Sequence, residues 1–598
     1  MKKMRKYLAV TLGRCSGCSI FVDDKIVFSA SEERYSRKKS DQAYPMHAIN
    51  DGLAFCKIKP EELDYILIAG KRLAVIPILL QVYTNFSVND HLEMMQKYWY
   101  NKLVKKEPIK MIDVFKDKIN TDQYPFNTQF AKEIDFFKLE HPISKESDAI
   151  ISAFYKKAIS THLGIPESKI IHVEHDDCHA AYALYGSPIR DDNTLIFTAD
   201  AFGDDLSGTI SKYDKNTNKI IRLKEYFHKD FQLARIYRYT TLLLRMSPNE
   251  HEYKVMGLAP YYNGPAIKDV EKVFDEMQTL DILDFKFNKN IDDIYNYLEK
   301  KLDRFRFDHI AAGLQSFTER ILREWFSKAL SQYNSSSAVF SGGVSMNVKA
   351  NLVISKLPQI KNFFVCGAGT DETLPIGACY AQASSSIVPK PLESLYLGPH
   401  ADYDSKDVEL FSKHKISEFQ SVEILVDKIL KNKIIATCRG RMEMGQRALG
   451  NRSILADPRD SKNVQKINKM IKNRDFWMPF APIVLHEYQE EVLLNPKKLE
   501  SPYMTIGFET KNKEKIQAAI HQSDFTARPQ ILKKEVNPQL WSLIKRFYDE
   551  TGVPALLNTS FNLHGEPIVR TIGDAAHVFD KSGLEVLWLN NHVIEKIS

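Results

Sequence analysis

Apolar and polar positions alternate over short runs at the start of the chain. Tyr7–Leu12, Cys18–Val22 and Lys25–Ala30 each have the length and pattern of a strand, with Asp23-Asp24 as a tight hairpin turn between the last two. Lys169–Val173 predicts another strand, leading into a helix that starts near His175. Thr194–Thr198 and Gly208–Tyr213 predict a second hairpin with Asp200 to Asp205 in its turn. Over Ile282–Leu330 apolar residues recur at helical spacing, so the stretch is predicted mostly helical and amphipathic. Ala338–Phe340 predicts a strand that runs into Ser341-Gly342-Gly343 and then a helix. From about 75 to 145 the chain becomes rich in Lys, Tyr, Phe and Met, with a helical pattern over His91–Val104, which predicts a helical insertion.

Near 384 the composition shifts. Ser384-Ser385-Ser386, Pro389 and Pro391 predict a linker, which divides the chain into residues 1–387 and 388–598. Strands and helices alternate on both sides, so the class is α/β, with α+β character in the C-terminal part. No repeat of fixed period is visible.

A length of 598 residues allows two to four domains. With 44% hydrophobic and 26% charged residues, the chain is neither disordered nor collagen-like. Lys and Arg total 82 against 76 Asp and Glu, a net charge of +6. At this length that is a weak field, so nucleic acid is not expected as a partner. No apolar run approaches the ~18 residues of a membrane helix; Leu73 to Leu80 is short and holds a proline. At the N-terminus Gly13 and Arg14 cut the apolar stretch short, which favours a first strand over a signal sequence. Seven cysteines form no secreted disulfide pattern, and a reducing cytoplasm is the expected setting. Cys15-x2-Cys18 has no second pair and is expected to be two small packing residues.

Three constellations carry chemistry. His175 and His179 are four residues apart, so a helix places both imidazoles on one face, where they can meet one metal ion. Asp200 and Asp371 are carboxylates able to complete a site suited to Fe(II), Mn(II) or Zn(II). The alternative is a pair of partly buried helix histidines. Second, Gly342, Gly343 and Asn347 lie at a strand–helix turn whose backbone N–H groups suit phosphate. With the early hairpins and Asp200-Ala201-Phe202-Gly203, this resembles the actin-like ATPase architecture, in which two ribonuclease-H-like halves close on a nucleotide. Third, Arg439, Arg441, Arg447, Arg452 and Arg459 fall within 21 residues, interleaved with glycines. Planar guanidinium groups recognise phosphate bidentately. Apolar Ala448, Leu449, Ile454 and Leu455 show that the segment packs into a fold, so a polyanion pocket is expected rather than a solvated basic face. Lys472, Arg474, Arg528, Asn558, Ser560 and Asn562 follow downstream.

In this order the motifs resemble the O-carbamoyltransferases of the nodulation, cephamycin and tobramycin type. The matching stretches include Ser31 to Lys39, His175 to Ala181, Glu252 to Tyr261, the Gly-Gly loop, the arginine run, Trp477 to Pro482, Thr526-Ala527-Arg528 and Pro554 to Pro567. The resemblance implies an N-terminal domain like the threonylcarbamoyl-transfer ATPases and a C-terminal domain of the YrdC-like type. It implies carbamoyl-adenylate formation from carbamoyl phosphate and ATP with Mg(2+) in the C-terminal domain. The carbamoyl group would then pass to a hydroxyl of a small-molecule acceptor in an N-terminal domain that holds Fe(2+) or another divalent transition metal. It implies His175, His179, Asp200 and Asp371 as metal ligands, with Lys39, His175, Asp200 and Arg528 catalytic. Arg447, Lys472, Arg528, Asn558 and Ser560 would bind carbamoyl phosphate and adenylate. A homodimer is compatible with this scheme. Arg14-Cys15 stands where the family carries His-Asp, Gln446 replaces a proline, and Gln522-Ser523-Asp524-Phe525 departs from His-x-Asp-Gly. Two alternatives stay open: a threonylcarbamoyl-type tRNA-modifying enzyme, and a nucleotide-binding regulator without transferase activity.

Overall fold

The computed structural model describes residues 4–72, 80, 86–118, 145–401 and 407–597. Its N-terminal part is built from two five-stranded sheets. The first contains β1 (Lys6–Thr11), β2 (Gly17–Val22), β3 (Lys25–Ser31), β4 (Tyr65–Ala69) and β5 (Ile170–Val173), in the order β3-β2-β1-β4-β5. The first three are an antiparallel meander, and β4 and β5 run parallel to β1. The second sheet uses β6 (Leu195–Gly203), β7 (Leu206–Asp214) and β8 (Lys219–Phe227). After the β9–β10 hairpin (Gln278–Asp281 and Asp284–Phe287) it adds β11 (Ser337–Ser341) and β12 (Asn362–Val365). Its order is β12-β11-β6-β7-β8, again a meander followed by two parallel strands. The two sheets therefore repeat one ribonuclease-H-like plan, as expected of an actin-like duplication.

Each plan ends in an equivalent helix, His175–Tyr185 after β5 and Leu374–Ser384 after β12. The two helices cross almost backbone to backbone. A Cβ on Gly377 would stand 1.9 Å from the Cys178 carbonyl oxygen, so no larger residue fits there. Tyr182, Leu184, Ile376 and Tyr380 bury the crossing in one core.

Two expectations need correction. Asp200 to Gly203 continue strand β6, and the turn is Asp204-Asp205 alone, both at positive φ. Residues 278–287 form the small hairpin, so helix over 282–330 is confined to Ile294–Leu302 and Phe307–Gln332. Within the insertion, Val88–Glu93, a π-helical turn over Met94–Trp99, Tyr100–Leu103 and Met111–Phe115 are helical. Tyr83 lies outside the described residues.

The C-terminal part is one mixed eight-stranded sheet. It comprises β13 (Lys415–Glu418), β14 (Ile435–Cys438), β15 (Ser453–Ala456), β16 (Ala481–Leu485), β17 (Gln530–Leu532), β18 (Ala555–Ser560), β19 (Val586–Leu589) and β20 (His592–Glu595). Their order is β13-β20-β19-β14-β15-β18-β16-β17. The two parts share a core: Met444, Leu449 and Tyr503 pack in the cluster that holds Tyr182 and Phe364. Among the described residues no helix is long and apolar enough to cross a membrane.

A candidate metal centre and two adjacent cavities

His175 and His179 open the helix that follows β5. Glu174 caps it, accepting the Asp177 N–H, and Asp204 accepts the His175 backbone N–H at 2.8 Å. Gly203 on β6 faces the His175 ring so closely that a Cβ there would lie 2.1 Å from the imidazole Cδ2. Asp200 comes from β6, and Asp371 from the turn before the helix Leu374–Ser384. Both Nε2 atoms are buried without a hydrogen-bond partner. They face Asp200 Oδ2 at 3.7 and 3.3 Å and Asp371 Oδ1 at 3.7 and 3.8 Å. All four candidate donor atoms lie within 4.8 Å of one another. Two imidazoles and two carboxylates converging on one point fit a divalent transition ion. Ser341 Oγ stands 3.3 Å from His179 Nδ1 and fixes the outer side of that ring.

The charges in the cluster hold one another. Burial works against a charged His175, but the nearby carboxylates of Asp200 and Asp371 outweigh it and push its pKa up to about 10. For Asp200, burial acts to raise the pKa, and the two imidazoles draw it below the usual carboxylate range.

The cluster forms one wall of a cavity of about 870 Å³. Gly343 and Asn347 line it. Gly342 holds φ +96° beside the backbone of Ala199, which only glycine tolerates. The Asn347 carboxamide is engaged by the Ala350 N–H and by Gln315. Arg14 and Cys15 line the same cavity, and Arg14 Nη2 donates to the Asn249 carbonyl at 2.5 Å. Met94, Met95, Trp99 and Leu103 bring the insertion to its rim. Tyr98, by contrast, is fully buried in the core.

A second cavity, of about 240 Å³, lies between the N- and C-terminal parts. Lys39, Arg447, Lys472, Arg474 and Arg528 line it, with Ser560 and Asn562. None of these five cations forms an ion pair among the described residues. Lys472 Nζ donates to Asn562 Oδ1 at 2.8 Å and Ser560 Oγ at 3.2 Å, and Arg474 donates to Thr559 Oγ1 at 2.9 Å. Arg447 Nε and Arg528 Nε are buried without partners. Burial, then Arg474 and Lys39, hold the Lys472 ammonium well below its usual pKa. Burial, then Arg447 and Arg474, penalise the charge on Arg528 in the same sense. Uncompensated charge at this density calls for an anion. Asn249, Tyr253, Gln446 and Arg447 line both cavities, so the two lie side by side on a shared wall.

The arginine run serves this site less than its composition suggests. Of its five guanidinium groups, only Arg447 reaches a cavity. Arg452 is fully buried and donates to the Arg439, Gly440, Asn451 and Arg570 carbonyls. Arg439 bonds Gln539 and Asn537, Arg441 bonds the Gly398 and Val27 carbonyls, and Arg459 pairs with Asp457. Lys39 lines the second cavity rather than the first, so it does not stand beside the histidine cluster. Asn558 donates to the Ala448 carbonyl and supports the Arg447 loop from behind.

One organising residue has no motif of its own. Glu443 accepts the backbone N–H groups of Leu449, Asn451 and Arg452, folding the loop that presents Arg447. Other matched stretches join the two parts. Trp477 Nε1 donates to the Lys254 carbonyl, His521 bonds the Gly257 carbonyl, and Arg34 donates to the Gly445 carbonyl. Cys15 and Cys18 are buried free thiols.

Comparison with known proteins matches residues 14–380 to the model described as carbamoyltransferase N-terminus and residues 426–596 to that described as carbamoyltransferase C-terminus. An uncharacterized protein of Methanocaldococcus jannaschii is 29% identical over 98% of this chain and 99% of its own. Nodulation protein NolO of Bradyrhizobium diazoefficiens is 30% identical over 71% of this chain and 79% of its own. The 3'-hydroxymethylcephem-O-carbamoyltransferase of Amycolatopsis lactamdurans is 28% identical over 46% of this chain and 52% of its own. Among solved structures, full-length HypF in the phosphate- and nucleotide-bound form aligns over 64% of this chain and 56% of its own, at a TM-score of 0.30 and 11% identity.

Proposed function

The chain belongs to the carbamoyltransferase family, and from that premise we propose that it is an ATP-dependent O-carbamoyltransferase with two stations. The smaller cavity activates the carbamoyl group. Net, carbamoyl phosphate, ATP and water give carbamoyl-adenylate, phosphate and pyrophosphate. Two polyanions must approach each other for this step, and Arg447, Lys472, Arg474, Arg528 and Lys39 lower that repulsion. Lys472, held by Ser560 and Asn562, is placed to follow charge as it moves onto the leaving phosphate. ATP would arrive with Mg(2+).

Transfer then takes place in the larger cavity. The acceptor oxygen forms the new bond to the carbamoyl carbon, the bond to adenylate breaks, and AMP leaves with the carbamate ester made. His175, His179, Asp200 and Asp371 would hold a divalent metal, iron among the candidates, which supplies Lewis-acid polarisation of a carbonyl oxygen when bound. Gly343 leaves room for a ligand close to the Asp200 carboxylate.

The observation that carries this reading is the shared wall. The cavity that holds Lys39, Arg447, Lys472, Arg474 and Arg528 shares Asn249, Tyr253, Gln446 and Arg447 with the cavity that Asp200 and Asp371 line. The test separates the stations. With carbamoyl phosphate and ATP, wild-type protein releases pyrophosphate. Arg528→Ala should lose that release by about 100-fold or more while keeping its metal, a loss of the size expected for one preorganised charge. His175→Ala should still release pyrophosphate but modify no acceptor. Identical failure of both variants in pyrophosphate release would remove the two-station scheme.

A further inference from the structure

The wall of the larger cavity also carries a second group of cations that activation of the donor does not use. Helix Leu233–Leu243 places Arg235, Arg238 and Tyr239 on one face. Both guanidinium groups sit 5.7 Å from the centre of the Tyr239 ring, and Arg235 Nη2 lies 3.4 Å from the Tyr239 hydroxyl. Neither arginine has an ion-pair partner among the described residues, and Arg238 Nε is buried with no acceptor. Arg14, from the loop after β1, adds a third guanidinium to the same wall.

Of the acids nearby, Glu250 pairs with Arg14 at 3.8 Å, and none pairs with Arg235 or Arg238 among the described residues. Glu252 is committed to the Asn249 N–H, and Asp293 to capping the helix Ile294–Leu302. His91, from the insertion, faces the arginines uncharged: burial, then Arg238 and Arg14, lower its pKa to about 3. For Tyr239, burial acts to raise the phenol pKa, yet Arg235 and Arg238 bring it below its usual value. An anion placed here would meet guanidinium donors and positive charge. Beside it the surface turns apolar, formed by Met94, Met95, Trp99 and Leu103.

We propose that Arg14, Arg235 and Arg238 form an anion-binding subsite of the acceptor pocket, and that the acceptor is a hydroxyl compound bearing a phosphate or carboxylate next to an apolar portion. The assignment of this subsite to the acceptor rests on the proposed function; its affinity for such anions does not. Arginine forks suit both oxyanions, and the apolar rim excludes a fully hydrated sugar phosphate as the best fit.

Isothermal titration of the full-length protein with hexyl phosphate, hexanoate and hexanol tests this with no ATP, carbamoyl phosphate or turnover present. Failure of carbamoyl transfer therefore leaves the measurement intact, and the converse holds too. At least one of the two anions should bind ten times more tightly than hexanol, and which one does separates phosphate from carboxylate. Arg235→Gln/Arg238→Gln should weaken that anion at least tenfold. If the double variant does not melt cooperatively, Arg235→Gln alone, at a partly exposed position without an ion pair among the described residues, should weaken it threefold or more. Because the smaller cavity also attracts anions, Arg528→Gln is titrated in parallel. Hexanol binding as tightly as both anions, neither anion binding at millimolar concentration, or anion affinity that falls in Arg528→Gln but not in the helix variants would overturn the proposal.

Discussion

Gly203→Ala tests the metal centre without touching a ligand. The glycine ends strand β6 and does not hold a positive φ, so its backbone conformation is open to alanine. The side chain is the problem: its Cβ would stand 2.1 Å from Cδ2 and 2.4 Å from Cγ of His175, about 1.3 Å inside the 3.4 Å at which ordinary contact begins. The imidazole must move by roughly that amount. Metal–nitrogen bonds tolerate only about ±0.2 Å, so the displaced ring leaves the coordination sphere. Loss of an oriented ligand should weaken the metal at least about 100-fold, or about 2.8 kcal/mol at 1.4 kcal/mol per tenfold. The assay is titration of metal-stripped protein with Co(2+), followed by its visible absorption and by competition with a chelator. Gly573→Ala is the control, since its Cβ meets nothing nearer than 3.7 Å. Wild-type Co(2+) affinity in a folded Gly203→Ala protein would refute the placement of His175 in the centre, and with it the four-ligand set.

Three further outcomes are expected. Lys472 has a folded pKa well below the lysine value of 10.5, so between the two values the unfolded chain binds more protons and stability rises with pH. Pyrophosphate should raise the Lys472 pKa toward its usual value and draw in protons as it binds. Calorimetry in buffers of different ionisation enthalpy reads this uptake, which Lys472→Met should abolish. Arg452→Leu orphans several buried carbonyls and should cost about 3 kcal/mol in denaturant unfolding, with the variant lost from the soluble fraction before its kinetics are. Trp99→Ala should raise the acceptor KM and leave carbamoyl-phosphate-dependent pyrophosphate release unchanged; an unchanged KM would return Trp99 to packing alone.

Much of the fold was legible because its signals are local. The hairpin at Asp23-Asp24 and the strand before His175 follow from alternation and turn residues, and they stand where expected. The doubled sheet plan was legible only through the family resemblance, since no residue period marks it. His175 and His179 could be paired from helical spacing, whereas Asp200 and Asp371 join them through contacts that no spacing encodes. The arginine run misled because charge counting cannot tell a guanidinium that faces a ligand from one that satisfies carbonyls. Arg452 and Arg447 are five residues apart and do opposite jobs. The place of Lys39 in the smaller cavity was not legible for a similar reason: an exposed lysine after a helix has no local signal for which wall it reaches. Glu443 escaped notice because its three partners are backbone N–H groups brought round by the loop it folds.

The smaller cavity takes Lys39, His251 and Tyr253 from one half of the chain and Arg447, Lys472, Arg474 and Arg528 from the other. Neither half encloses it alone. Severing the polypeptide near residue 388 would therefore leave two fragments without a closed chamber, and mixing them would have to rebuild the seam at Trp477, His521 and Arg34 before any reaction began. Split genes for this enzyme would be viable only if the two products stay clasped as tightly as the single chain, which makes covalent continuity a working part of the apparatus rather than a relic of gene fusion.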